Sequence, residues 1–326
     1  MSKRTFILGL LVALLAVSLG AANAPAGRKA AAPDKVVIAY QPGMGYAPLI
    51  IIKSQRTLER RYPGTTFEWR VLPSGTAITN GIIANQIQVG AMGTGPFLVG
   101  WSRGTNWKLI APLNEADLWL MAKDPNIRTI ADLKGKRIAT PTNTSIQAVV
   151  LRKMAQVKLG DSKALDSTLL AMDHPDGMQA LLAGQIDAHF TSPPFQFQEK
   201  VRGAHVVGRS YNYFGAHTFL VNVMTQDFYD DHRDFAGQFY KDIVAMQKLI
   251  RTNPLKVATL LSRDAGGNPT PRQFKQWIGN PALTWTTRPR GLIRYASFMS
   301  RTDQLTKMPR SWRDLVFPPV YPTNGS

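Results

Sequence analysis

Two stretches far apart in this chain follow one plan, and that repetition restricts the fold more than any other feature. Asn85-Gln86-Ile87-Gln88-Val89-Gly90-Ala91-Met92 runs from a polar turn into a short apolar strand and exits through Gly93-Thr94-Gly95-Pro96-Phe97. Gly184-Gln185-Ile186-Asp187-Ala188-His189-Phe190 does the same and exits through Thr191-Ser192-Pro193-Pro194-Phe195. A second pair of segments is also alike. Residues 139–154, A-T-P-T-N-T-S-I-Q-A-V-V-L-R-K-M, pass from a strand end through a polar turn into an amphipathic helix that Asn143, Thr144 or Ser145 can cap. Pro73-Ser74-Gly75-Thr76 opens its counterpart behind another strand. The first N–H groups of a capped helix lack intrahelical partners, so each start is also a seat for an anion or a polar ligand atom.

The remaining pattern fills in two α/β halves. A buried strand at 35–40 (K-V-V-I-A-Y), a helix over 48–60 and a strand at 67–72 give the strand, helix, strand order of a parallel sheet. Residues 93–96 read as a flexible turn whose glycines let backbone approach a bound molecule. From Leu118 the chain restarts: W-L-M-A is strand-like, 129–133 a short helix, 136–139 a strand, and 173–182 a helix with Pro175 near its start. Strands are expected at 204–208 and 217–224, then helices at 228–251, 254–261 and 270–278. This helical tail is expected to pack back across the first half.

Length and composition allow such a fold. With 326 residues, 44% hydrophobic and 18% charged, the chain can build two packed domains. Residues 1–24 read as a secretory signal peptide: Lys3 and Arg4, an apolar run over 6–19, then Ala22-Asn23-Ala24 as a small-x-small cleavage pattern. The absence of cysteine excludes disulfides, thiolate metal sites and a lipoprotein anchor, so an exported chain needs its own core. The formal net charge of +18 becomes +16 without Lys3 and Arg4, a balance that attracts anionic small molecules or anionic surfaces. No nucleic-acid-reading pattern accompanies it, and nothing in the residues calls for a cofactor.

Two motif matches fail on context. Gly43-x-Gly45 follows a strand, but Pro48 stands where the third glycine of a dinucleotide fingerprint belongs. Gly100-Trp101-Ser102-Arg103-Gly104 fits a G-x-S-x-G nucleophile elbow, yet an elbow feeds a helix at once, and 105–110 reads as a turn and a strand. No two histidines stand at metal-ligand spacing.

Several segments, taken in order, resemble the alkanesulfonate, taurine and nitrate-type periplasmic substrate-binding proteins of ABC importers. They are Val37-Ile38-Ala39-Tyr40-Gln41, Leu58-Glu59-Arg60-Arg61-Tyr62-Pro63, Gly90-Ala91-Met92-Gly93-Thr94-Gly95-Pro96, Ile130-Ala131-Asp132-Leu133-Lys134-Gly135-Lys136 and Ala183-Gly184-Gln185-Ile186-Asp187-Ala188. The resemblance implies an α/β protein of two lobes, each a mainly parallel sheet flanked by helices, with a ligand cleft between them. Lobe 1 would be 36–115 plus 216–326, and lobe 2 would be 118–214. Carried over, the cleft falls on Gln41, Ser74, Gly75, Thr76, Thr94, Asn143, Thr144, Ser145, Thr191, Pro194 and Phe195. Tyr46, Trp119 and Phe195 are candidates to stack on a ligand ring, against the competing expectation that aromatics are core. His217, near the start of a strand, is a candidate donor, against a structural role.

Departures from the family pattern bear on the ligand. The Asp often found after Thr-Gly is missing at Gly95-Pro96, Gly-Ser-Ser is replaced by Asn143-Thr144-Ser145, and Trp-Asp-Pro by Ser192-Pro193-Pro194. Fewer acids in the cleft disfavour an amine-bearing ligand such as taurine and favour an anion or an aromatic acid. The expected function is capture of a small organic anion by a periplasmic monomer and its delivery to an ABC permease in the inner membrane, with no chemistry. Alternatives are binding of nitrate, bicarbonate or a pyrimidine, a serine hydrolase using Ser102, or a basic protein binding anionic surfaces. The family's pyrimidine-synthesising branch relies on a cysteine-rich motif, and this chain has none.

Overall fold

The computed structural model describes residues 32–326; the expected signal peptide at 1–24 lies outside them. Eleven strands form two sheets among the described residues: β1 (Lys35–Tyr40), β2 (Thr66–Val71), β3 (Val89–Gly93), β4 (Trp107–Ala116), β5 (Trp119–Ala122), β6 (Ile138–Thr140), β7 (Leu169–Ala171), β8 (Ala188–Phe190), β9 (His205–Arg209), β10 (Thr218–Thr225) and β11 (Leu283–Thr284). The first sheet has the order β11-β4-β10-β3-β1-β2 and the second β7-β6-β8-β5-β9. The chain therefore passes between sheets twice, once from β4 to β5 and once from β9 to β10.

Helices cover the sheets, and the burial of each strand follows its place. β1, lying between β3 and β2, buries Val36 to Tyr40 without alternation, as a strand covered on both faces must. β2, at the edge, is only half-buried. The sheets are mixed rather than mainly parallel. β2-β1-β3 and β7-β6-β8 are parallel strand-helix-strand products. β10 runs antiparallel to β3 and β4, and β5 antiparallel to β8 and β9, because each of these strands enters its sheet from a crossing segment.

Other local expectations need correction. The helix expected over 48–60 is two, Ala47–Ser54 and Thr57–Arg61, separated where Arg56 adopts a left-handed φ of 49°. The expected turn at 93–96 instead starts the helix Thr94–Ser102 behind Gly93. Ser102 closes that helix, buried, with its hydroxyl donating to the Val99 carbonyl at 2.9 Å, so it is no nucleophile elbow. The long helix past 225 breaks at His232 into Gln226–Asp231 and Arg233–Thr252. β7, three residues at a half-exposed edge, has too little apolar alternation to be read in advance.

The tail packs on the first sheet, where β11 pairs with β4 and Phe317 N–H donates to the Leu109 carbonyl. It also reaches the second lobe. Arg152 donates to Gln304 at 3.0 Å, and Phe214 stacks on Tyr295 with centroids 4.0 Å apart.

The crossing segments are fastened to each other. The buried Asp117 carboxylate accepts from Tyr211 N–H at 3.0 Å, Ser210 Oγ at 3.3 Å and Trp119 Nε1 at 3.3 Å. Ser210 Oγ also accepts from Leu118 N–H at 2.8 Å.

Candidate ligand-binding cleft

Four helices begin at one small cavity between the lobes. Two belong to the first lobe, Gly75–Ile83 and Thr94–Ser102, and two to the second, Ile146–Leu159 and His174–Leu182. Gly75, Gly93, Ser145, Ile146 and His174 from these starts line it, with Gln41, Tyr46, Thr142 and Gln147. Ser74 and Ser145 cap their helices by accepting from Ala77 N–H and Ala148 N–H, both at 3.2 Å. Each cap satisfies one N–H of the first turn, and the others there lack intrahelical partners.

The cavity holds about 30 Å³. That is room for about two waters, or for a compact oxyanion group. Its lining contains no Asp, Glu, Lys or Arg. Its polar side chains are neutral ones, Gln41, Tyr46, Thr142, Ser145, Gln147, His174 and Ser192. Gln41 Nε2 donates to the Tyr46 hydroxyl at 2.6 Å, and burial raises the Tyr46 pKa, keeping it a neutral phenol. Buried Asn114 pins the adjoining loop by donating to the Gly45 carbonyl at 2.6 Å.

The lobes are closed on one another. A Cβ added at Gly95 would lie 2.5 Å from the Thr144 carbonyl oxygen and 2.8 Å from Ile146 N, so only glycine lets the two helix starts meet. Beside the cavity, and sharing Gln41, Pro42 and Gly43 with it, opens a chamber of about 440 Å³. Both lobes wall it, with Tyr40, Met44 and Phe274 on one side and Met178, Pro194 and Phe195 on the other.

The residues expected at the cleft divide accordingly. Gln41, Tyr46, Gly75 and Ser145 line the small cavity, and Pro194 and Phe195 line the chamber. Ser74 stands one residue behind as a cap, and Thr76 is exposed on its helix. Thr94 is buried and donates to the carbonyls of Thr218 and Phe219, tying its helix to β10. Asn143 is exposed, and Thr144 Oγ1 lies 3.2 Å from Thr142 Oγ1. Thr191 is fully buried, its hydroxyl without a partner among the described residues. Trp119 packs under Arg209, 4.9 Å from its ring centroid, beside Asp117. His217 is fully buried between the Tyr211 and Tyr295 rings, with Nε2 3.0 Å from Ser210 Oγ; burial pushes its pKa down to about 3. Trp119 and His217 thus sit at the crossing segments, outside both cavities.

Gln147 and His174 line the cavity without having been singled out in advance. Gln147 is two residues past the cap Ser145, and His174 follows the cap Asp173, which accepts from Asp176 N–H at 3.0 Å. The sequence signal for both was position in a capped first turn.

Two α/β lobes, two crossing segments and a cavity built of helix starts define a two-lobed α/β fold with an inter-lobe cleft. The chain belongs to the NMT1-like family, whose model matches residues 29–261. It is 27% identical over 196 residues to an aliphatic sulfonates-binding protein of Escherichia coli (strain K12), a match spanning 59% of this chain and 58% of that protein, less than two thirds of its length. The taurine-binding periplasmic protein of the same organism is 26% identical over 223 residues, 67% of each chain. Among solved structures, the alkanesulfonate-binding protein of Xanthomonas axonopodis pv. citri bound to MOPS has a TM-score of 0.72 at 22% identity, covering 85% of this chain and 96% of that one. The periplasmic aliphatic sulphonate binding protein of Escherichia coli gives 0.68 at 18% identity, covering 88% and 93%. At these identities the structures establish the fold.

Proposed function

We propose that this chain is an extracytoplasmic solute-binding protein that captures a small organic anion between its lobes and delivers it to an ABC permease, without chemical change. The carrying observation is the cavity itself: four helix starts converge on a space with no charged side chain in its lining. A trioxo headgroup, such as a sulfonate, fits the small cavity, and an apolar or aromatic body extends along Gln41, Pro42 and Gly43 into the chamber against Met44, Phe195 and Phe274. The relatives named for aliphatic sulfonates and taurine support that class. The small cavity has no carboxylate to meet an ammonium, and the one lining the chamber, Asp264, is paired with Lys53 at 3.4 Å, which disfavours taurine. The ligand shifts an open-closed equilibrium by its differential affinity for the closed form.

A second reading has its own support. About 30 Å³ suits nitrate or bicarbonate with nothing in the chamber.

A thermal-shift screen of the exported form against alkanesulfonates, aromatic acids, taurine, nitrate, bicarbonate and pyrimidines separates the readings. A ligand at about 100 times its Kd adds roughly 2.7 kcal/mol. Sulfonates or aromatic acids are expected to raise Tm, and Thr142→Trp, which fills the cavity, is expected to abolish the rise. A shift from nitrate or bicarbonate alone selects the second reading, and no shift from any compound rejects both.

A further inference from the structure

Three titratable side chains stand in line from the interior of the second lobe to the cavity wall. Glu199 Oε1 lies 2.6 Å from His189 Nδ1, and His189 Nε2 lies 3.1 Å from His174 Nδ1. His174 Nε2 then lies 3.1 Å from Gln147 Nε2, and a half-turn of the amide exchanges that nitrogen for Oε1. Glu199 and His189 are fully buried, and Glu199 Oε2 has no partner among the described residues. The packing is specific, since a Cβ at Gly177 would lie 2.7 Å from His189 Nε2.

A neutral imidazole has one donor and one acceptor nitrogen, so the direction of the first hydrogen bond fixes all the others. Consider the line with zero net charge. With the shared proton held between Glu199 Oε1 and His189 Nδ1 rather than on Oε2, it can sit on either atom, and in both cases His189 Nε2–H donates to His174 Nδ1. His174 Nε2–H then donates to Gln147, whose Oε1 turns to the ring and whose NH2 turns to the cavity. When that proton leaves to solvent, every bond reverses. His189 Nδ1–H donates to the carboxylate, His174 Nδ1–H donates to His189 Nε2, and Gln147 gives its N–H to His174 and its carbonyl oxygen to the cavity.

Burial favours the uncharged line. It pushes the Glu199 pKa up to about 9, lowers His189 to about 3, and holds His174 well below the ordinary imidazole value, with His189 adding to that effect. Among charged groups on the surrounding elements, Asp173 raises His189 but is held as a helix cap. Asp176 follows it in that first turn, Lys200 lies over the Trp119 ring, and Lys123 donates to the Leu182 carbonyl. Arg137 pairs with Asp187, Arg152 with Asp166, and Asp117 with Arg209. Across the cleft stands the neutral Tyr46.

We propose that Glu199 and His189 are positioning residues that set the polarity of the cleft: one retained proton makes Gln147 present N–H to the cavity, and its loss turns an anion receptor into an acceptor-lined site. The inference rests on the anion reading above and adds to it the residues that decide ligand sign and a coupling to pH.

Nitrogen NMR of the full protein labelled with 15N-histidine, without ligand, reads the direction from pH 6 to 10. His174 is expected to carry its proton on Nε2 at pH 7 and to move it to Nδ1 at high pH, and Glu199→Gln is expected to abolish the pH-dependent change. In parallel, calorimetry with ethanesulfonate is expected to show affinity falling at least tenfold from pH 7 to 10. Gln147→Glu, which presents only oxygen, is expected to lose at least tenfold at pH 7. His174 protonated on Nδ1 at pH 7 overturns the inference whether or not ethanesulfonate binds. His174 protonated on Nε2, with none of the screened anions binding, rejects the proposed function instead and leaves the proton line standing.

Discussion

Five buried or half-buried side chains, Glu199, His189, His174, His217 and Asp117, give this protein an uneven response to pH. A histidine depressed from about 6.5 to about 3 stabilises the fold above its ordinary value, and that stability is lost as pH falls toward 3, as for His189 and His217. Glu199, raised from 4.5 to about 9, acts in the opposite sense: its contribution is present below its ordinary value and is lost as pH rises through about 9. The melting temperature is therefore expected to peak near pH 6.5, with an alkaline limb of up to about 3 kcal/mol. Denaturant melts from pH 4 to 10 check this, and Glu199→Gln is expected to flatten the alkaline limb alone. His189 was legible as a strand residue, but its partners lie 10 and 15 residues away, a separation that carries no periodic signal.

At the scale of elements, the caps were the most legible features because their chemistry is local. Ser145 and Ser74 accept from the third residue onward, as polar residues before an apolar helical pattern should. Ser145→Ala and Ser74→Ala are each expected to cost about 1 kcal/mol in denaturant melts. Ser145→Ala is also expected to weaken ligand binding more, because Ser145 lines the cavity and Ser74 does not. The breaks were illegible. At Arg56 no glycine or proline marks the left-handed φ of 49° that separates the two short helices. The strand directions were misread for a related reason. Whether β10 joins its sheet parallel or antiparallel depends on which side the crossing segment returns from, and no residue in β10 records that.

For the whole molecule, the ordered family segments and the two-lobed plan could be read from sequence, whereas the cavity lining could not. Gln147 and His174 face Gln41 and Gly75 only because two sheets are brought together, and the geometry across that gap is absent from any one segment. Closure itself is testable. Gly95→Ala places a methyl group where Thr144 and Ile146 meet it in the closed form. This change is expected to lower ligand affinity more than tenfold, about 1.4 kcal/mol. Small-angle scattering is expected to show no ligand-induced contraction in the variant. Tighter binding by the variant would refute the role of Gly95 in closure.

Asp117 has a mechanical consequence. It fastens the two crossing segments side by side, so one lobe rides on the other through a pair of short, bonded struts. A body held this way is expected to swing about one axis more easily than it slides or twists. Its softest motion would then be a single angle shared by the outer faces of both lobes. A partner touching both faces together would read that angle without reaching into the cleft.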